Sequence, residues 1–111
     1  MKLINYREVE AIDAEQGARG VRVRWLITKE DGAENFAMRL FEMASEGCTP
    51  FHSHEWEHEV FVLDGKGHVI IGDEEKEFRE GDVIFIPGNV RHQFKNTGDQ
   101  PIRFICLIPY L

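Results

Sequence analysis

Apolar and polar residues alternate along most of the chain. "VRVRWLIT" (21–28) and "NFAMRLFEMA" (35–44) keep a period of two, and the second run breaks at "SEGCTP". A period of two places alternate side chains on opposite faces of a strand. "HEVFVLDG" (58–65) ends at a glycine, and "HVIIGD" (68–73) ends at Gly-Asp with "KEFREGD" (76–82) as its hairpin partner. "DVIFIPGN" (82–89) stops at a Pro-Gly turn, and "HQFKN" (92–96) and "IRFICLIPYL" (102–111) follow. Short strands separated by turns roughly every 8 to 12 residues predict an all-β sandwich or barrel. No window carries a helical stripe; "REVEAIDAEQGA" (7–18) has room for a single turn. "VIFI" and "FICLI" are apolar on both faces, so one face lines the barrel and the other packs on a second sheet or a partner chain.

Composition narrows the function classes. The 111 residues fit one domain, 1–111, with 42% hydrophobic and 30% charged residues. A net charge of -7 without a basic run argues against nucleic acid and anionic membranes. No apolar run reaches membrane-spanning length, and "MKLINYREVE" becomes charged too early for a signal peptide. Cys48 and Cys106 form no CxxC pattern, so the expected setting is cytoplasmic with reduced thiols.

"HSHEWEH" (52–58) holds three of the five histidines. On a strand His52 and His54 share a face. "EWE" then offers a tight turn, and His58 opens the next strand. His92 begins another strand after the Pro-Gly turn. Four neutral imidazoles suit Zn, Cu, Ni, Fe or Mn.

The frame around these histidines resembles the cupin superfamily, whose motifs read G(X)5HXH(X)3,4E(X)6G and G(X)5PXG(X)2H(X)3N. Gly81, Pro87, His92 and Asn96 match the second motif, and His52, His54 and Gly65 match the first. Three departures stand out. Gly47 lies one residue close to His52, Asn89 replaces a glycine, and His58 occupies the glutamate's place in the register fixed by Gly65. Glu59 is the rival ligand if the turn register slips. The resemblance is to small single-domain monocupins with a four-histidine site. It implies a jelly-roll (double-stranded β-helix) barrel and one divalent transition metal per chain, Mn or Fe ahead of Zn, Ni or Cu. It also implies a small-molecule substrate or ligand, and a homodimer.

Parity sketches the pocket. If His92 faces inward, so does Phe94; with Arg103 in solvent, Phe104 and Cys106 face inward beside Ile102 and Ile108. Arg39 shares the face of Phe41 and Met43, and a buried arginine needs an anion, either a substrate carboxylate or Glu57 or Glu59. Trp56 is a candidate lid or dimer contact, His68 a strand surface residue, and Cys48 a structural thiol. Glu55, Glu57 and Glu59 are read as exposed charge. Three functions follow: an oxygen-dependent metalloenzyme (dioxygenase-like) acting on a small aromatic or unsaturated molecule, a metal-anchored binding or sensor module, and a sugar-phosphate isomerase.

Overall fold

The computed structural model describes residues 1–110. Nine strands form one curled antiparallel sheet: β1 (Ile12–Asp13), β2 (Arg19–Ile27), β3 (Phe36–Cys48), β4 (His58–Asp64), β5 (Lys66–Ile71), β6 (Glu74–Arg79), β7 (Val83–Ile86), β8 (His92–Lys95) and β9 (Ile102–Pro109). Neighbours run β6-β5-β8-β3-β9-β4-β7, while β2 joins β3 and β1 joins β2. This is the expected all-β jelly-roll barrel. The end of "IRFICLIPYL" at position 111 lies outside the described residues.

β3 is the hub. Phe36 to Met43 pair with β9, and Met38 to Met43 pair with β2. Its far end bends, and Cys48 pairs with Lys95 of β8. The break expected at "SEGCTP" is therefore a bulge inside one long strand. The register against β2 shifts between the Val21–Met43 and Arg19–Cys48 pairs, with Glu46 in the left-handed region at φ 64°. β1 was not expected. The single turn read over 7–18 forms earlier, as a 3-10 turn at Tyr6–Glu8 closed by an Asn5–Glu8 capping box.

The inner faces bury Val21, Met43, Val60, Val62, Ile86, Phe94, Ile102, Phe104 and Cys106 in one cluster. The parity expected for β9 holds: Arg103 turns outward and its Nε donates to Asp64 at 2.6 Å. Glu42 faces outward on β3, where it accepts from Arg24 Nε at 3.0 Å. That leaves Arg39 on the inner side. The outer face of β4 and β7 is not covered: Phe61, Val83 and Phe85 are 46%, 75% and 55% exposed. Among the described residues no helix is long and apolar enough to cross a membrane.

Candidate metal centre

His92 enters the barrel as the first residue of β8, and His58 as the first residue of β4. His52 and His54 come from the loop between β3 and β4. That loop is not the regular strand expected from its alternation. His52 makes one isolated bridge to His92, donating at 3.2 Å and accepting at 2.8 Å. The chain then leaves the sheet. A second anchor holds it, where Asn89 N–H donates to the His54 carbonyl at 2.6 Å.

The Pro-Gly turn explains the fit. Asn89 has φ 64°, the left-handed backbone that the motif's glycine would supply. At Gly88 a methyl would collide with the Glu55 carbonyl oxygen. The loop and the turn can meet closely only because position 88 has no side chain.

All four imidazoles converge. Ring centroids lie 4.2 Å apart for His52–His54, 5.1 Å for His52–His92, 4.9 Å for His58–His92 and 5.3 Å for His54–His58. The ring nitrogens of His52, His54 and His92 come within 4.8 Å of one another. His58 stands just behind them, buried, with Nε2 lacking any partner. An orphaned nitrogen beside three others fits a cation, because a buried polar atom otherwise keeps its full desolvation cost. Glu59 is exposed on the opposite face of β4, away from the cluster.

Hydrogen bonds set the ring orientations. His92 Nδ1 sits 3.0 Å from the Val90 carbonyl, an arrangement that protonates Nδ1 and frees Nε2. His58 Nδ1 lies 3.3 Å from Cys106 Sγ, and Arg39 Nη2 donates to the same sulfur at 3.2 Å. Trp56 stacks on His54 with centroids 4.3 Å apart and planes 4° from parallel, so it braces a ring. Burial pushes His54 down to about 4 and His58 to about 3, with neighbouring histidines and Arg39 adding to the shift. His92 is also lowered, by burial first. These three rings are therefore neutral at pH 7, the form in which imidazole ligates.

That lowering predicts how the metal-free protein responds to acid. The unfolded chain protonates His58 near pH 6.5, while the folded chain resists down to about 3. Between those values the unfolded state holds more protons, so stability falls as pH falls. His58 is 7% exposed, so bulk water does little to screen the penalty of charging it. Below pH 6.5 it costs about 1.4 kcal/mol per pH unit, or roughly 2 kcal/mol by pH 5. Urea titrations in chelator at pH 7.5, 6 and 5 measure this, and a flat profile would refute it.

The histidines open onto a cavity of about 400 Å³. Phe94, Phe104, Cys106 and Arg39 line it, as parity indicated. Phe104 stacks edge-on between Phe41 at 5.1 Å and Phe94 at 4.7 Å. Sequence reading missed Trp25, β1 and the turn after it, where Glu15 comes within 3.6 Å of His52 Nε2. Trp25 lies in an alternating strand and was open to the same parity argument as Arg39; Glu15 arrives by a long-range fold-back that no local pattern announces. Among the described residues no carboxylate lies within ion-pair distance of Arg39, so neither Glu57 nor Glu59 is its partner. Burial raises the Cys106 thiol, against the pull of Arg39. His68 lies outside the cluster, 3.4 Å from Glu75, and Cys48 is a free, half-buried thiol.

Known proteins give this arrangement a context. The cupin domain model matches residues 39–108. The chain superposes on the polyketide cyclase RemF from Streptomyces resistomycificus with a TM-score of 0.92 and 38% identity, over 98% of this chain and 79% of that one. It is 31% identical over 104 residues to an oxalate-binding protein from Thermotoga maritima, covering 89% of this chain and 84% of that protein. It is 35% identical over 93 residues to a glucose-6-phosphate isomerase from Pyrococcus abyssi, covering 73% of this chain and 49% of that protein. The chain spans about half the length of several curated relatives that it matches. A family model covering most of the sheet, on a barrel with the histidine frame inside it, establishes that the chain belongs to the cupin family.

Proposed function

We propose that this chain is a metal-dependent monocupin that binds and cyclises a small, unsaturated polyketone. The observation that carries the reading is the convergence of His52, His54, His58 and His92 on one wall of an aromatic cavity. The 38% identity to a polyketide cyclase along nearly the whole chain supports the substrate class. The four histidines would hold one divalent transition metal. When bound, the ion would supply Lewis acidity towards a ligand carbonyl.

The protein's own part is shape and orientation. Trp25, Phe41, Phe94 and Phe104 offer ring faces and edges to a flat conjugated ligand and keep water from it. Cys106 and Val90 fix two of the histidine rings, so the cavity wall does not rearrange on ligation. Imidazole donors accommodate Mn, Fe, Zn, Ni and Cu; cyclisation asks only for Lewis acidity, whereas a dioxygenase reading asks for Mn or Fe.

The dioxygenase remains a second reading, supported by the same donor set and aromatic wall. The sugar-phosphate isomerase has little support: Arg39 is the sole Lys or Arg lining the cavity, and Arg91 is occupied by the Phe51 carbonyl at 3.3 Å. One experiment separates the readings. The metal-loaded protein is given a linear poly-β-ketone thioester in air and under nitrogen. Cyclised product in both atmospheres favours the cyclase. Oxidised product in air alone favours the dioxygenase. Metal retention without turnover reduces the chain to a binding module.

A homodimer and a cytoplasmic setting belong to the same proposal. The bare apolar face of Phe61, Val83 and Phe85, with Glu59 at its edge, fits a second copy of this chain, because burying three large exposed side chains against their own counterparts removes apolar surface from water on both sides. Sedimentation giving only a monomer would withdraw the dimer. Two free cysteines suit a reducing compartment.

A further inference from the structure

Among the described residues Arg39 has no anion within ion-pair distance. It projects from the middle of β3 into the cavity, half-buried. Its guanidinium lies over Trp25 at 5.3 Å and over Phe41 at 4.8 Å. Nη2 donates to Cys106 Sγ at 3.2 Å, and a thiol sulfur is a weak acceptor. Nε is buried and has no acceptor at all. The Trp56 indole N–H, on the same cavity wall, is also buried and unpartnered.

Arg39 Nε and Trp56 Nε1 therefore stand without acceptors beside the cavity, and the Arg39 guanidinium has no carboxylate within ion-pair distance among the described residues. Ring faces hold a guanidinium in place and offset part of its desolvation, but they do not neutralise it. The negative groups near the cavity belong to the β1 side. Glu15 reaches towards His52, not Arg39. Arg39 stands close enough to the histidine cluster for its charge to bear on both His54 and His58.

We propose that Arg39 is a ligand-recognition residue that selects anionic oxygen, a carboxylate or an enolate, on a flat aromatic or conjugated body. The ring faces of Trp25 and Phe41 set the guanidinium's plane, and Cys106 anchors its inner edge. The outer edge is left for the ligand's charged end, while the body lies along Phe94 and Phe104. A planar fork suits this role because it meets two oxygens at once. The inference deepens the polyketone reading by naming the charge on the substrate, and it uses the same cavity. It does not need the metal.

The test uses 2-naphthoate and its neutral isostere 2-naphthamide, titrated into chelator-treated protein at pH 8 and followed by Trp25 and Trp56 fluorescence. The expected result is naphthoate binding at least tenfold tighter than naphthamide. Arg39→Met removes that preference, and Arg39→Lys keeps part of it because the charge remains. Equal affinities in the wild type overturn the proposal, as does no binding of either compound, or a preference that survives in Arg39→Met. The wild-type comparison stands even if a variant fails to fold. Repeating it after metal loading separates the two readings. A protein that takes no metal but prefers naphthoate keeps this inference and loses the metal centre; a metal-loaded protein with no preference does the reverse.

Discussion

His58→Ala lowers metal retention by on the order of a hundredfold or more, and Glu59→Ala leaves it unchanged. The two side chains are neighbours in sequence and opposites in space. His58 is 7% exposed, with Nε2 orphaned beside three other imidazoles, while Glu59 points out of the barrel. In a protein interior such a nitrogen is costly unless something accepts its lone pair. Residual binding is expected in the variant, because His52, His54 and His92 still form a compact set. Elemental analysis by plasma mass spectrometry of untagged protein measures it, with near one ion per chain in the wild type. Full occupancy in His58→Ala would end the four-histidine reading. Loss in Glu59→Ala would instead call for the slipped turn.

Phe104→Ala is expected to cost about 3–5 kcal/mol of stability. The ring is 3% exposed and makes edge contacts with both Phe41 and Phe94, so removing it strips packing from the core and enlarges the cavity that it lines. For a domain of this size the melting temperature should fall by roughly 10–25 °C. Phe85→Ala is the internal control: at 55% exposure on the outer face it should change monomer stability by well under about 1 kcal/mol. Differential scanning calorimetry of the two variants decides the matter. Similar losses for both would mean that Phe104 is not core.

Much of this was legible from alternation, for a physical reason. A strand reports its two faces directly in sequence. Phe94, Phe104, Cys106 and Arg39 could therefore be placed inside the barrel, and Arg103 and Glu42 outside it. His58 was placed by Gly65, whose positive φ of 88° fixes the end of β4. What escaped had no period to read. The bulge at 44–47 looked like a strand end because its residues are small and polar. β1 has two residues, too few to alternate. His52 and His54 converge as expected, yet through one isolated bridge and a loop contact rather than through a strand. Arg39 is expected to find a protein carboxylate or a ligand, and among the described residues no carboxylate lies within ion-pair distance of it.

The single bridge between His52 and His92 has a consequence for kinetics. Two backbone hydrogen bonds there, one from Asn89 to His54 and one from Arg91 Nη2 to the Phe51 carbonyl tie the loop's histidine stretch to the rest of the site, while Thr49 at its start is held on Phe94. Short ties of this kind open at the low-energy end of a protein's local fluctuations, well before the sheet does. If that segment lifts, His52 and His54 leave together while His58 and His92 stay on their strands. Exchange of the ion would then be a gated event, its rate set by the loop's opening frequency rather than by the strength of any one coordinate bond. Amide hydrogen exchange at His52 and Asn89 would track metal dissociation, while the amides of β3 and β9 stay protected.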